Sequence, residues 1–589
     1  MSKRLWSTSI PLPSNGTLRR ARTTWWADLL VFVALGLLLF GIVEVAARWT
    51  APRTEVTPIE LTPFVLPLYA LYSLARMVVA YALSLGFGLV YGSLLASSRS
   101  AERILSPVLD ILQSIPILSF LPGVVLALVA LFPARNIGLE LAAIVLIFTC
   151  QAWNLAFCFY QSQVSVPRAL REAASVFRLT RWQRFTRLAL PFATIPLVWN
   201  SMMSWANGWF FLMASEQFAL GEQSFQLPGI GSFIAVAAEQ GNLRALGLGL
   251  LTMLVVIVGL DLLLWRPLLS WAERFRVEDT AGTSRQPALV SLWLQRSRLL
   301  AWLSDTALPP VWRVLERAMN SLLGEGTAAS TPGQQTGSPT RRARSVRLLT
   351  FAGLGVASVW GIGTLGQALL RLPIDAWAEI GRGTVLSFLR VTTALLITVA
   401  WTVPVGVAIG MNPRWAPRVQ ALLQLVASFP ATALFPAVVL VVIALPGGSQ
   451  LAALLLLLLG TQWYVLFNVI AGAMAIPNEL REAAALAQLS GWQRWRLLIL
   501  PGIYPSLVTG LITAAGGAWN ATIVAEYVTF QGAAYSAGGL GSVIAASAEA
   551  GDYGLLFAAT LTMVALVVTL NRVFWGRLYR LVSQRFRLD

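Results

Sequence analysis

Two stretches of this 589-residue chain, PRALREAASVFRLTRWQRFTRLALP at residues 167–191 and PNELREAAALAQLSGWQRWRLLILP at residues 477–501, align without a gap at an offset of 310. Thirteen of the twenty-five positions are identical, where ordinary residue usage gives about two. The same offset pairs Trp209 with Trp519, Glu216 with Glu526, Gly229 with Gly539, Gly231 with Gly541 and Trp265 with Trp575. Upstream, an offset of 314 pairs Arg76 with Arg390, Gly92 with Gly406, Pro116 with Pro430 and Pro122 with Pro436. The chain is therefore two copies of one module, and the fold must be one that can be built twice.

The surroundings of the two stretches say what kind of module it is. Hydrophobic residues make up 57% of the chain and charged residues 12%, half the charge of an ordinary soluble domain. Stretches near the 20 residues that cross a bilayer as a helix lie at Leu29–Ala47, Met77–Ser98, Ile111–Pro133, Leu141–Phe159, Leu188–Ser215 and Ala245–Leu260. A second set lies at Leu348–Leu370, Val391–Met411, a proline-broken Val419–Gln450, Leu451–Ile476, Leu497–Ala525 and Leu555–Leu570. The expectation is an all-α polytopic membrane protein of about twelve helices, arranged as two six-helix repeats. Six is even, so both repeats enter the membrane from one side, related by an axis along its normal.

Arginine and lysine mark the cytoplasmic side. With the N-terminus inside, all but eight of the 43 basic residues (Arg48, Arg53, Arg76, Arg135, Arg244, Arg371, Arg382 and Arg390) fall on cytoplasmic segments. Both termini are expected in the cytoplasm, and the net charge of +17 needs no nucleic acid to explain it; the partner it faces is membrane lipid. The expected organisation is a basic tail (1–27), a first transmembrane module (28–265), a cytoplasmic linker (266–347), a second module (348–575) and a short tail (576–589). The run after the basic tail reads as an uncleaved first span rather than a secretory leader. The linker carries helical, partly amphipathic stretches at Leu289–Leu303 and Val311–Leu323, then a Gly-, Ser-, Thr- and Gln-rich stretch, Gly326–Pro339. It reads as a flexible tether whose helices rest on the membrane surface, with a regulatory module as the alternative.

Missing residues exclude several chemistries. There is no histidine, which removes histidine-ligated zinc, Ser-His-Asp triads and histidine-ligated haem. Lys3 is the one lysine, with no glycine-rich loop before it, so no phosphate-binding loop ending in Lys-Ser/Thr exists to hydrolyse ATP. No metal site or catalytic residue is expected. Cys150 and Cys158 are eight residues apart, about 12 Å along one helix, and cannot pair within it.

The duplicated stretches lie in the cytoplasmic loop between the fourth and fifth spans. Leu-Arg-Glu-Ala-Ala after a proline, then a turn at Thr180/Arg181 or Ser490/Gly491, then Trp-Gln-Arg, reads as helix, turn, helix. The paired alanines (Ala173, Ala174; Ala483, Ala484) permit close approach of another surface, and Glu172 and Glu482 offer it a charge. Arg171, Trp182, Arg184, Arg481, Gly491, Trp492 and Arg494 complete a candidate docking element.

At this point the sequence resembles the permease subunits of bacterial ATP-binding-cassette importers. Their signature is Glu-Ala-Ala, three residues, Gly, nine residues, Ile, one residue, Leu-Pro; Glu172 to Pro191 and Glu482 to Pro501 keep the spacing. The match departs at the glycine, here Arg178 and Gln488, and at the isoleucine, here Leu188 and Leu498. The resemblance implies a fused, duplicated type I importer permease in the bacterial inner membrane. It further implies two copies of a separate ATPase subunit, which carry the ATP and Mg, seated on these loops, and a periplasmic or lipid-anchored substrate-binding protein. Asn207 to Glu216 and Ala518 to Tyr527 are similar to the nitrate, sulfonate, taurine and bicarbonate branch, which implies a small anion as substrate. The alternatives are a non-anionic substrate such as ferric iron or thiamine, or a secondary transporter of six plus six spans. That last class concentrates its motifs between spans two and three, where the loops from Arg99 and Asn412 match poorly.

Ionisable groups inside a membrane are costly and point to function or to pairing. Arg76 and Arg390 begin spans two and eight, Glu216 and Glu526 end spans five and eleven, and one Arg–Glu pair per half is expected, fixing helix packing or gating the path. Gln113, Ser114, Asn200, Ser204, Asn207, Thr513 and Asn520 are polar candidates for lining the path, since neutral donors suit an anion that must also leave.

Overall fold

Where proline and glycine fall decides how each half is assembled. The computed structural model describes, besides a few isolated positions, residues 43–51, 58–275, 308–323 and 369–585, less 115, 221–222, 413–415, 443–444 and 531–532. The first half runs α1 (Leu66–Ser97), α2 (Arg99–Ser114), α3 (Leu121–Leu131), α4 (Ile137–Val164), α5 (Arg168–Val176) and α6 (Leu190–Glu216). A hairpin of β1 (Gln217–Leu220) and β2 (Gln223–Gln226) follows, then α7 (Ile230–Glu239) and α8 (Leu243–Leu260). Between the halves stands α9 (Leu308–Leu323). The second half repeats the order as α10 (Ile374–Gly410), α11 (Ala416–Ala427), α12 (Ala431–Val442), α13 (Gly448–Met474), α14 (Asn478–Leu486) and α15 (Leu500–Ala525). It closes with β3 (Tyr527–Phe530), β4 (Ala533–Ser536), α16 (Leu540–Ala550) and α17 (Tyr553–Thr569).

Seven helices among the described residues are long and apolar enough to cross a membrane: those built on α1, α4, α8, α10, α13, α15 and α17. The fifth expected span is also one continuous helix, the 27-residue α6. The third and ninth are interrupted where the prolines stand. Pro116 opens a short turn at Ile117–Phe120 before the 11-residue α3, and Pro430 lies in the gap between α11 and α12. Most of the first and seventh expected spans, the basic tail, Leu289–Leu303 and Gly326–Pro339 lie outside the described residues.

Observed helices outrun the expected spans where a charge ended the sequence pattern. Helix α1 begins at Leu66 and carries Arg76 inside it, fully buried; α10 likewise passes through Arg382 and Arg390. A buried, paired arginine does not stop a helix, whereas hydropathy stops at any charge. Outward-facing Val90, Leu251 and Leu396 stay 62%, 55% and 66% exposed, as a lipid-facing surface requires.

Small residues bring the central helices together. A Cβ on Gly92 of α1 would stand 2.8 Å from the Ala156 carbonyl oxygen of α4, and one on Gly410 of α10 would stand 2.6 Å from that of Ile470 in α13. This is small-residue packing as membranes use it. The tight α1–α4 and α10–α13 pairs are the spine of each half. One continuous apolar core, from Met77 and Ile147 to Leu457 and Met563, joins both halves. The halves interlock reciprocally: the Ile117–Phe120 turn packs on α15, and α12 packs on α6.

Candidate functional site

Each duplicated loop is a rigid extension of the spans that flank it. Pro167 and Pro477 stand at the N-caps of α5 and α14, positions that need no proline N–H donor. Arg171 folds back so that its Nη2 donates to the Val164 carbonyl (2.6 Å) and its Nε to that of Val166 (3.0 Å). Arg481 Nη2 donates to the Ala473 carbonyl (2.7 Å). Both arginines thus bind free carbonyls at the C-terminal end of the preceding span, where a cation complements the helix dipole. Ala174 and Ala484 are buried at the base of the loops, while Glu172 and Glu482 are exposed.

The family glycine position holds Arg178 (φ 50°) and Gln488 (φ 53°), the two non-glycine residues with left-handed backbone among the described residues. The turn keeps the shape that glycine would adopt freely, and each side chain carries the steric penalty instead. In the first loop Thr180 then caps the four-residue helix Arg181–Arg184: its Oγ1 accepts from Gln183 N (3.1 Å) and the Gln183 side chain accepts from Thr180 N (3.2 Å), a reciprocal capping box. Ser490 makes no such side-chain cap for Gly491–Arg494. Trp182 stacks on Phe185 (centroids 5.6 Å apart) and Arg184 Nε reaches the Leu179 carbonyl (3.1 Å), whereas Trp492 is 71% exposed and Arg494 is exposed. Pro191 and Pro501 cannot donate to the preceding turn, and the chain widens there into a π-helical turn at Phe185–Ala189 and Trp495–Ile499. Such turns recur where a helix must absorb a local misfit. Both loops show apolar side chains to solvent: Val176 and Phe177 in the first, Leu486 and Trp492 in the second. Exposed apolar residues in a cluster mark a surface made to be covered.

The charged groups of the spans are brought together, and more fully than a simple pair. Arg76 Nη1 donates to Glu216 Oε1 (2.7 Å), while its Nε and Nη2 grip Glu140 at 2.5 and 2.8 Å. Glu216 also accepts from Ser73 Oγ (2.6 Å) and from Gly231 N (2.6 Å) at the start of α7. In the second half Arg390 pairs with Glu526, which accepts from Ser387 Oγ (2.7 Å) and Gly541 N (2.9 Å). The counterpart of Glu140 is Gln450, whose Oε1 accepts from Arg390 Nη2 (2.7 Å). The glycines explain themselves here, because a Cβ on Gly229 or Gly539 would stand 2.3 Å from the Glu216 or Glu526 carboxylate. Sequence reasoning missed Glu140, Gln450, Ser73 and Ser387, yet the two duplication offsets pair Glu140 with Gln450 and Ser73 with Ser387.

The polar candidates separate into three groups. Asn207 and Asn520 sit on the seam between halves: Asn207 Oδ1 accepts from Tyr464 OH, and Asn520 Oδ1 accepts from Ile117 N at 2.5 Å. Beside this seam a small cleft is lined by Met202, Trp205, Trp209 and Trp265 of the first half and Ser428 of the second. Ser204 and Asn200 are used within the first half: Ser204 Oγ accepts from Asn154 Nδ2 (2.8 Å), and Asn200 Nδ2 donates to Cys158 Sγ (3.1 Å). Thr513 is exposed and bonds only to its own helix, at the Thr509 carbonyl. Ser114 ends α2. Arg76, Arg390 and the two glutamates are enclosed within their own halves rather than on the seam. Among the described residues no cluster of three potential metal ligands occurs.

Two interlocked copies of a helical membrane module, each extending a short helix–turn–helix from its spans, define a transport permease of the type I ATP-binding-cassette class. The chain belongs to the family of binding-protein-dependent transport system inner membrane components, whose pattern it matches twice, over residues 68–264 and 402–588. It is 26% identical over 258 residues to the nitrate import permease NrtB of Leptolyngbya laminosa, a match covering 40% of this chain and 90% of that protein. It is 26% identical over 188 residues to the taurine transport permease TauC of Escherichia coli, covering 31% of this chain and 64% of the relative. The bicarbonate transport permease CmpB of Synechococcus elongatus is 24% identical over 204 residues, covering 34% and 66%. The family assignment displaces the secondary-transporter alternative.

Proposed function

We propose that this chain is the membrane-spanning subunit of an ATP-driven importer for a small anion of the nitrate, sulfonate or bicarbonate kind. Two copies of an ATPase subunit, which hold the ATP and Mg, seat on the loops at 167–191 and 477–501, and a periplasmic or lipid-anchored binding protein delivers the substrate from the opposite side. The modules 28–265 and 348–575 form the path, the 266–347 segment ties them together, and both termini lie in the cytoplasm. The observation that carries this reading is the pair of loops, each anchored to its spans by Arg171 or Arg481 and exposing a glutamate and apolar side chains. A handle so built transmits movement of whatever grips it directly into the spans.

Support for an anion comes from the names of the relatives and from the character of the seam. Arg76 and Arg390 are already engaged by carboxylates, so an anion passing the seam meets neutral donors, which bind it without trapping it. Alternating access then requires opening inter-half hydrogen bonds such as Tyr464–Asn207 and Ile117–Asn520 and closing others.

The test is Glu172→Arg combined with Glu482→Arg. Expression and membrane insertion stay normal, while co-purification of the ATPase and uptake of labelled nitrate, taurine or bicarbonate are lost. Retained ATPase binding with retained uptake overturns the docking role.

A further inference from the structure

The two loops are alike in sequence but not in what covers them. Helix α9, from the linker between the halves, packs on the Arg181–Arg184 helix of the first loop. Two contacts fix it there: Thr180 Oγ1 donates to Asn320 Oδ1 at 2.7 Å, and Arg187 Nη2 pairs with Glu316 Oε1 at 3.1 Å. Trp182 is partly buried, while its counterpart Trp492 is 71% exposed. The difference is written into the duplicated sequence. The position of Arg187 is taken in the second loop by Leu497, which is 62% exposed, so no equivalent ion pair is available there.

The side of α9 turned away from the loop carries Arg313, Val314, Arg317, Ala318 and Ser321, all exposed. These positions recur at i, i+1, i+4, i+5 and i+8 and form one stripe, basic with an apolar residue within it. Through its contacts at Thr180 and Arg187 it is carried by the first loop, whose own exposed residues include Glu172, Val176 and Phe177.

We infer that α9 is a third element of the first docking surface, so that the ATPase subunit seated on the first loop contacts Arg313, Val314 and Arg317 of α9, whereas the subunit on the second loop meets bare Trp492. This rests on the reading that the loops bind ATPase subunits, and it makes the two ATPase positions chemically inequivalent. The ATPase surface that meets α9 is expected to carry carboxylates complementary to the two arginines.

The full-length permease, with Cys150→Ser and Cys158→Ser, is purified with its ATPase after a single cysteine is introduced and labelled with a short photo-crosslinker; the native pair lies partly buried and buried within one span. Ser175→Cys and Ala485→Cys report on equivalent exposed positions of the two loops, and Ser321→Cys reports on α9. Products are assigned by peptide sequencing to a chain bearing the GxxxxGK[ST] loop. All three positions are expected to crosslink to that chain. Glu316→Arg in the Ser321→Cys background is expected to cut the α9 product about fivefold and leave the Ala485→Cys product unchanged, and adding Arg187→Glu restores it. Crosslinking from Ser175→Cys without any from Ser321→Cys, capture of lipid alone from Ser321→Cys, or indifference to Glu316→Arg overturns the inference. Silence at Ser175 and Ala485 as well overturns the docking of ATPase on the loops, and the role of α9 with it.

Discussion

Replacing Arg76 by glutamine should damage the protein more than replacing Arg390, although the two arginines hold matching places in the duplicated module. Among the described residues Arg76 is the one hydrogen-bonding partner of the Glu140 carboxylate, and it also binds Glu216; all three side chains are 0–1% exposed. Its loss strands Glu140 entirely and leaves Glu216 with Ser73 Oγ and Gly231 N. Breaking one buried pair costs about 3–5 kcal/mol, and here two anions lose their partner, so Arg76→Gln belongs at about 5 kcal/mol or above. Arg390→Gln strands only Glu526, which keeps Ser387 and Gly541 N; its other partners, Gln450 and the Ala537 and Gly538 carbonyls, are neutral. That places it near the lower bound, about 3 kcal/mol. At about 2–4 °C per kcal/mol for a unit of this size, thermal unfolding in detergent should separate the two variants clearly. Adding Glu140→Gln to Arg76→Gln removes the stranded carboxylate, reproduces the neutral partner of the second half, and should recover part of the loss. Equal melting temperatures for the two arginine variants, or no recovery on adding Glu140→Gln, would refute the reasoning.

Glycine at the strained turn positions should help: Arg178→Gly and Gln488→Gly relieve left-handed backbone at φ 50° and 53°, a gain of about 0.5–1 kcal/mol each after glycine's own entropy is counted, measurable as a raised melting temperature. Gly229→Ala drives a Cβ to 2.3 Å from the buried Glu216 carboxylate and should cost about 3 kcal/mol or more, whereas Gly247→Ala, with nothing within 4 Å, should be silent in the same assay. Tyr464→Phe removes the inter-half bond to Asn207, worth about 1 kcal/mol; basal ATP hydrolysis by the reconstituted complex should rise about fivefold, and an unchanged rate would mean that this bond does not hold the seam closed.

What was legible in the sequence follows from what each signal measures. Duplication, spans and the Arg–Glu partnership were readable because they rest on identity, length and the cost of charge in lipid. Glu140 was passed over because it lies just before the apolar run that begins at Leu141, where hydropathy treats a charge as a boundary rather than as a buried ligand. The same blindness starts span two at Met77, eleven residues after the observed start of α1 at Leu66. Polarity alone marks Asn200 and Thr513 as candidates for the path. Which way a side chain points around its helix depends on packing partners that one helix's sequence does not contain; in the structure Asn200 donates to Cys158 Sγ, and Thr513 is exposed and bonded to its own helix. The hairpins Gln217–Gln226 and Tyr527–Ser536 carry four-residue strands, too short for an alternating pattern to be recognised.

Comparing the halves separates what the fold needs from what each half has since acquired. Where geometry permits one solution, both copies keep it: glycine beside the buried glutamate, serine capping its approach, proline after the π-helical turn, arginine folded onto the end of the preceding span. Where they differ, a neighbour differs too. Glu140 becomes Gln450, and the Gln450 Nε2 donates to the Ala537 carbonyl at 2.6 Å, a bond no carboxylate can make; Gln450→Glu would therefore set an anion against a carbonyl oxygen. Glu140→Gln alone, by contrast, leaves Arg76 a neutral acceptor and still satisfied by Glu216. Exchange of the two residues is thus asymmetric by construction: the first half tolerates the second half's residue, and the second half does not tolerate the first's. The neutral amide stands in the half where the arginine has other acceptors, at Ala537 and Gly538, and the carboxylate in the half where Arg76 is held by side-chain carboxylates.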